Sequence, residues 1–339
     1  MADYSNCKID YHINYNGANG KKACIILNGE RYMLKTPGDA KNNPLMSHSN
    51  SCISEYVSCR IANELGYDAQ KTLLGTHKGN IVVLCKDFRE NDKYVFYDFA
   101  SLKNNIVFSS TNGANTELSE ILTTIDEQKL IDPRELRSFF WDQFIIDSYI
   151  GNFDRHNGNW GYLFEVSSGT CKAAPIYDCG SSLYPQLTDE QMKSVLADER
   201  KIEERIYVFP NSAIKSEGRK INYFRFLNET ENKDCLKALQ KFEERFDQVL
   251  VDGVIEQMPL ATNVHKEFIR EMLGYRMNKI LLYALENNKN IGRVYDVGQD
   301  RKTSEQGRNK GIRNKITEFK EQVEKERAKP IEKTKERDR

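Results

Sequence analysis

No stretch of this 339-residue chain is apolar for long enough to cross a bilayer, which needs ~20 such residues in a row. Met1 to Asp10 lack the apolar core of a cleaved signal peptide. The expected location is therefore the cytoplasm, with secretion or translocation by a route that needs no cleaved signal left open. The eight cysteines never form a Cys-x-x-Cys pair, and no paired-histidine motif accompanies them. That reads against a zinc site or a disulfide frame, and for small core residues in a reducing compartment. Net charge is also missing, with 50 Lys and Arg against 50 Asp and Glu. The balance is uneven, because 14 Lys and Arg face 8 Asp and Glu from Arg301 to Arg339. The body is thus mildly acidic and the tail basic. Nothing in the body suggests a nucleic-acid surface, so no direct nucleic-acid binding is expected.

What is present is an ordinary globular composition, 39% hydrophobic and 10% aromatic, in a chain long enough for two lobes. The stretch from Gly151 to Trp160, followed by Asp178-Cys179-Gly180, organises the rest. Asp154 and Asn159 stand five apart, and Asp178 precedes a glycine by two positions. An aspartate, an asparagine five residues on and a later Asp-x-Gly form the polar set of a phosphotransferase. One carboxylate accepts the proton of an incoming hydroxyl, while the amide and the second carboxylate hold Mg²⁺ against nucleotide phosphates. A polar loop would use the same residue types, so context matters.

The context is helix, loop and hairpin. Asp132 reads as an N-cap, Pro133 as the first helical residue and Glu135 as a first-turn acid. Leu136, Phe140, Phe144 and Tyr149 recur at helical spacing up to a stop at Gly151. Trp160 to Val166 and Cys171 to Tyr177 read as strands about the turn Ser167–Thr170. Such a hairpin would bring Asn159 and Asp178 together, with Asp154 in the loop feeding it.

Asn152-Phe153-Asp154-Arg155-His156-Asn157-Gly158-Asn159 resembles the catalytic loop of the HipA-like serine/threonine kinases, and Asp178-Cys179-Gly180 resembles their metal-binding motif. The likeness extends from about residue 15 to about residue 285. Its further segments include Gly17-Ala18-Asn19-Gly20, Ser54-Glu55-Tyr56-Val57 and Lys220-Ile221-Asn222-Tyr223. The Asp-Arg-His-x-x-Asn core is also similar to that of phosphoinositide kinases.

The resemblance implies a bilobal, protein-kinase-like α+β fold. Residues 1–84 would form a small β-rich lobe with one helix, 85–88 a hinge, and 89–297 a larger, mostly helical lobe. Residues 298–339 read as a charged, solvated tail. Gly17, Ala18, Asn19 and Gly20 would cover the phosphates of ATP, since glycine lets backbone N–H groups approach them. No Ser or Thr lies between Asn16 and Lys22, so the autophosphorylated loop serine of HipA-like toxins has no counterpart there. Lys35, at the end of an apolar strand, would bind the α and β phosphates. Glu55, on a helix expected from about Cys52 to Leu65 with Ser51 as its cap, would hold that lysine. The backbone at Cys85 and Asp87 would read the adenine edge. Asp154 would act on the substrate hydroxyl, and Asn159 and Asp178 would carry Mg²⁺. His156 and Asn152 would brace the loop, and Ser181, Ser182 and Tyr184 stand where an activation segment would offer modification sites.

The expected reaction is transfer of the γ-phosphate of ATP to a Ser or Thr hydroxyl of a protein, with autophosphorylation as a companion. The expected partners are a protein substrate and, from the toxin–antitoxin and bacterial-effector members of the family, an antitoxin or a host protein. Two other readings stay open: a lipid or small-molecule kinase, and a nucleotide-binding module that no longer turns over.

Overall fold

The computed structural model describes residues 2–13, 15, 22–37, 49–106 and 112–290. The glycine loop Gly17–Gly20 and the tail 298–339 lie outside the described residues.

Short hairpins build the first sheet. β2 (Lys22–Leu27) turns at Asn28-Gly29 into β3 (Glu30–Lys35), and β4 (Thr72–His77) turns at Lys78-Gly79 into β5 (Asn80–Lys86). All four turn residues have positive φ, the combination a two-residue hairpin turn demands. With β1 (Lys8–Asp10) they form one antiparallel sheet in the order β1-β2-β3-β5-β4. Its inner face buries Ile25, Tyr32, Leu34, Val82 and Leu84 beside Tyr4.

Between the hairpins, α1 (Ser51–Glu64) packs on β4 and β5. Ser51 opens the helix rather than capping it. Asn50 is the cap residue, and it makes no side-chain cap bond. Its amide nitrogen instead donates to Leu187 O at 2.9 Å, tying the helix start to the far part of the molecule.

β6 (Tyr94–Asp98), α2 (Phe99–Ile106) and α3 (Leu118–Glu127) lead to α4 (Pro133–Ile150). α4 starts and stops as its sequence predicts. Asp132 accepts from Arg134 N, Pro133 stands first, and Gly151 ends the helix at φ 67°. A Cβ at Gly151 would lie 3.1 Å from Pro210 Cγ, so both backbone angle and space call for glycine. Phe140, Trp141, Phe144, Ile145 and Tyr149 of α4 are all nearly inaccessible. At roughly 1.5–3 kcal/mol for each large apolar side chain, α4 is the main prop of the helical part.

β7 (Gly161–Glu165) pairs with β6 on one side and β8 (Cys171–Ala173) on the other. The second hairpin strand is thus shorter than the expected Cys171–Tyr177. Pro175 offers no N–H to a ladder, and the chain crosses instead to the segment before β4, where Ile176 makes an isolated bridge to Ala69. Ile176 N donates to Asp68 O and its carbonyl accepts from Gln70 N, both at 2.8 Å.

α5 (Asp189–Leu196) and α6 (Glu199–Glu203) follow, and α6 continues as a π-helical turn, Glu204–Val208. The hairpin β9 (Asn211–Ser216) and β10 (Arg219–Asn222) leads into α7 (Tyr223–Glu229). The single helix expected from Asp234 to Met258 is two, α8 (Lys233–Arg245) and α9 (Gln248–Glu256). Asp247 breaks the run, because its carboxylate accepts from Val249 N and Leu250 N and so starts a new helix. α10 (Asn263–Arg276) is capped by Thr262 and passes through a π-helical turn, Met277–Leu282, into α11 (Tyr283–Asn290). The architecture is the expected α+β one, a small antiparallel sheet with one helix joined to a larger helical part.

Candidate active site

Lys35 ends β3 and projects to where α1 and the Asp178 loop meet. Its Nζ lies 2.8 Å from Asp178 Oδ1 and 3.3 Å from Glu55 Oε2. Glu55 is 1% exposed, against the usual solvated position of a helical glutamate. Small neighbours admit it: a Cβ at Gly180 would stand 3.3 Å from Glu55 Oε2 and 3.4 Å from Ser51 O. The backbone after Asp178 therefore runs directly over α1. Ser58 and Ser182 join the same two segments through a 2.7 Å hydrogen bond.

Asp178 adopts φ 56°, a left-handed conformation that aspartate tolerates better than most side chains. Burial alone would raise its carboxyl, but the Lys35 ammonium outweighs burial and holds it at about 2. Burial would likewise lower Lys35, and Asp178 and Glu55 together push it well above the ordinary lysine value. The pair is ionised at any working pH.

Asp154 is half-buried, and among the described residues its carboxylate has no hydrogen-bond or ion-pair partner. Burial raises its pKa; His156 opposes this and the Asp178 charge adds to it. Its backbone carbonyl accepts from Asn159 Nδ2 at 2.8 Å. A carbonyl can only accept, so the Asn159 –NH₂ faces it and the amide oxygen is the free end. Asn159 Oδ1 and the Asp178 carboxylate are hard oxygen donors of the kind Mg²⁺ takes. Among the described residues no three His, Cys, Asp or Glu side chains cluster as a metal cage. A cation here would draw on phosphate oxygens and water for its other ligands, as Mg²⁺ ordinarily does.

The loop is held by two residues that motif reading did not single out. Asp147, on the last turn of α4, accepts from Arg155 Nε at 2.9 Å, Arg155 Nη2 at 3.1 Å and Asn152 Nδ2 at 2.9 Å. Arg155 also donates to Asn159 O at 2.7 Å, to Tyr177 O, and to Cys179 Sγ at 3.3 Å. One guanidinium thus sets the backbone of Asn159 against that of Tyr177 and hence the two oxygen donors against each other. Asn152 braces the loop further, with its oxygen 3.2 Å from Asp154 N. His156 is exposed, and its Nδ1 accepts from Gly158 N at 3.0 Å. Lys22 is a third residue that motif reading passed over. It stands directly across the β2–β3 ladder from Lys35, and burial and the Lys35 charge lower it. The only sequence signals for these three were an arginine inside the motif, a polar residue on a buried helix face and a lysine flanking the glycine loop.

The segment around Cys85 and Asp87 is bonded into the sheet. Asp87 N donates to Arg31 O at 2.9 Å, so this amide is already spent within the sheet. Ladder alternation then puts Met33 and Cys85 in a hydrogen-bonded pair. The Asp87 carboxylate is clamped by Arg89 Nη2 at 2.6 Å and by Tyr15 Oη at 2.9 Å. Asp87 therefore anchors the segment, and neither its amide nor its side chain is open to an adenine edge. Ser182 and Tyr184 are buried, the first bonded to Cys179 O at 2.6 Å and the second to Arg205 O at 2.9 Å. Neither offers an accessible hydroxyl for modification.

Comparison with known proteins places this arrangement. Residues 13–255 match the family model of the HipA-like C-terminal domain. The serine/threonine-protein kinase CtkA of Helicobacter pylori (strain J99) is 45% identical over 280 residues, spanning 82% of this chain and 86% of CtkA. The crystal structure of a Helicobacter pylori proinflammatory kinase CtkA superposes with a TM-score of 0.81 at 43% identity, covering 86% of this chain and 99% of that one. HipA, solved with HipB and operator DNA as a Shewanella oneidensis MR-1 toxin–antitoxin complex, gives a TM-score of 0.52 at 12% identity. That likeness covers 81% of this chain and 68% of HipA, and it bears on the fold alone.

Proposed function

Because the chain belongs to the HipA-like C-terminal domain family, we propose that it is an ATP- and Mg²⁺-dependent protein kinase that phosphorylates Ser or Thr hydroxyls and also itself. The observation that carries this reading is the Lys35 ammonium held between Glu55 and Asp178, beside a carboxylate at Asp154 that no other described residue engages. A structural ion-pair network would have satisfied Asp154 as well.

In this reading Lys35, fixed by Glu55, meets the α and β phosphates as a point charge. Gly17, Ala18, Asn19 and Gly20 would cover the phosphates. Asn159 Oδ1 and Asp178 would hold Mg²⁺, which supplies charge neutralisation on the phosphate oxygens. Asp154 accepts a hydrogen bond from the substrate hydroxyl, orients it for in-line attack and takes its proton as the bond to the γ-phosphorus forms, while the bond from that phosphorus to the β,γ-bridging oxygen breaks and ADP leaves. The raised Asp154 basicity suits a proton acceptor better than an ordinary aspartate would. Little covalent chemistry falls to the protein, so the rate comes mainly from positioning and fixed charge. The Arg155 bridge supplies the positioning, since it sets the spacing of Asn159 from Asp178. Residues 1–84 form the small lobe in this scheme, 85–88 the hinge and 89–297 the large lobe, with cytoplasmic folding and a protein substrate as the required partner. No helix among the described residues is long and apolar enough to cross a membrane.

The test is phosphate transfer from γ-labelled ATP with Mg²⁺ to a generic basic protein, with Asp154→Asn as the control. Label on the acceptor or on the chain that vanishes in the variant is the expected result. Tight ATP binding without label on either would overturn the protein-kinase reading.

A further inference from the structure

The ribbon β9–β10 sits beside the catalytic loop and carries two cations that the site described above does not use. Both of its ends are pinned to the segment just before Asp154. Pro210, which precedes β9, would lie 3.1 Å from a Cβ at Gly151. Tyr223, which follows β10, donates its hydroxyl to Asn152 O at 2.5 Å. Ser212, Ile214 and Ile221 face inward and are buried, so the alternate positions face out. Lys215 and Lys220 are direct cross-strand partners on that outer side, the first half-exposed and the second exposed.

Like charges directly opposite in a ladder are destabilising, and a sheet normally avoids them or pairs each with an acid. Among the described residues neither lysine forms an ion pair. Glu117 bridges to Lys215 but spends its carboxylate on the amides of Glu217 at 2.7 Å and Gly218 at 3.0 Å. The pair therefore sets two like charges beside the catalytic loop, with the Glu117 carboxylate turned to the hairpin amides and neither lysine in an ion pair among the described residues. The Lys220 charge is also among those felt by the Asp154 carboxylate.

We propose that Lys215 and Lys220 form the docking surface for Asp or Glu residues flanking the acceptor Ser or Thr, so that the protein substrate is an acidic segment. The proposal rests on the protein-kinase reading and adds the substrate's chemistry to it. A pair of rim charges of this kind gives about a 3- to 20-fold preference, falling as salt rises.

The experiment compares Ser-centred peptides that carry either Asp and Glu or Asn and Gln at the three positions on each side. Their kcat/KM values are measured at about 50 and about 300 mM salt, for the full chain and for the double variant Lys215→Glu, Lys220→Glu. The expected result is an acidic-over-neutral ratio of about 3 to 20 at low salt, smaller at high salt and below one in the variant. The ratio is internal to each protein, so partial loss of folded enzyme does not distort it. A ratio near one in the unaltered chain, or an unchanged ratio in the variant, overturns the proposal while leaving the kinase reading intact. If the variant loses only affinity for a single-stranded oligonucleotide, the lysines serve nucleic acid and the proposal fails. Absence of transfer to every peptide and to the chain itself refutes the kinase reading, and this proposal falls with it.

Discussion

Replacing Arg155 by Met keeps much of its volume and removes its charge. Both partners of the Arg155–Asp147 pair are 2% exposed, so the variant leaves a carboxylate in the interior with only the Asn152 amide to meet it. Breaking a buried pair from one side costs about 3–5 kcal/mol. The carbonyls of Asn159 and Tyr177 lose a donor in the same step, which keeps the expected loss at the upper end of that range. For domains of 150–250 residues each kcal/mol shifts Tm by about 2–4 °C, so the fall is on the order of 10 °C. Urea unfolding gives the free energy directly, through the midpoint at unchanged slope. The double variant Asp147→Asn, Arg155→Met removes both charges and should recover part of the loss, because no lone charge remains. The two variants separate in kinetics as well. Phosphate transfer should stay low in the double variant even where stability returns, since the bridge between the Asn159 and Tyr177 backbones is absent in both. A loss below about 1 kcal/mol in Arg155→Met, or full activity in the double variant, would refute the view that this guanidinium sets the loop.

The other expectations concern the groups facing the cleft. Asp154→Asn and Asp178→Asn should each abolish transfer while the far-UV circular dichroism stays that of the folded chain, and normal transfer by either variant removes its role. Lys35→Ala should weaken ATP binding by about 10- to 100-fold, the worth of a charge-assisted contact to phosphate, as titration calorimetry would measure. Unchanged affinity there would remove the nucleotide-lysine role. The acid limb of kcat/KM should follow Asp154 and fall at a pH above 3.8, the ordinary aspartate value, because burial raises this carboxyl. Asp178 cannot supply that limb. Its folded pKa is depressed to about 2, so the stability it contributes is complete above the ordinary value and is lost only as pH falls through about 2. An acid limb centred near 2 would reverse the two assignments.

The sequence was most legible where local chemistry decides the structure. Asp132, Pro133 and Gly151 mark both ends of α4 because capping and φ are properties of single residues. Asn28-Gly29 and Lys78-Gly79 mark the hairpins for the same reason. The set Lys35, Glu55, Asp154, Asn159 and Asp178 could be picked out from motif spacing and family likeness, and the fold brings these residues together. What escaped was decided by partners distant in sequence. Asn50 starts α1 without a side-chain cap bond, and its amide nitrogen ties it instead to Leu187, far along the chain. Asp87 is turned inward by Tyr15, 72 positions away. Cys171–Tyr177 reads as one strand, yet β8 stops at Ala173 and, beyond Pro175, Ile176 bridges Ala69 instead. The Asp147–Arg155 pair spans only eight positions, but one partner belongs to a helix and the other to the motif, and neither pattern announces the other.

Charge balance explains why the cleft is stable in this arrangement and still responsive. Glu55 and Asp178 put two carboxylates on the single ammonium of Lys35, and Lys22 across the ladder adds the second positive charge. The four groups compensate one another, which is what lets Glu55 be buried at 1% exposure. The balance has one adjustable member. Glu55 is held by helix packing, while Asp178 sits on a left-handed residue whose side chain is about one third exposed. An anion approaching Lys35 and Lys22 would compete with Asp178 before Glu55, so the bond it would loosen is the one between Lys35 and Asp178. Asp178 is then free to turn its oxygens toward Asn159, whose amide is already fixed with its oxygen outward by the Asp154 carbonyl. The same step removes the ammonium that holds Asp178 at about 2, so its carboxyl gains proton affinity unless another cation replaces Lys35. In the proposed reaction, phosphate binding and cation binding would therefore be coupled through Lys35, and each should be tighter in the presence of the other.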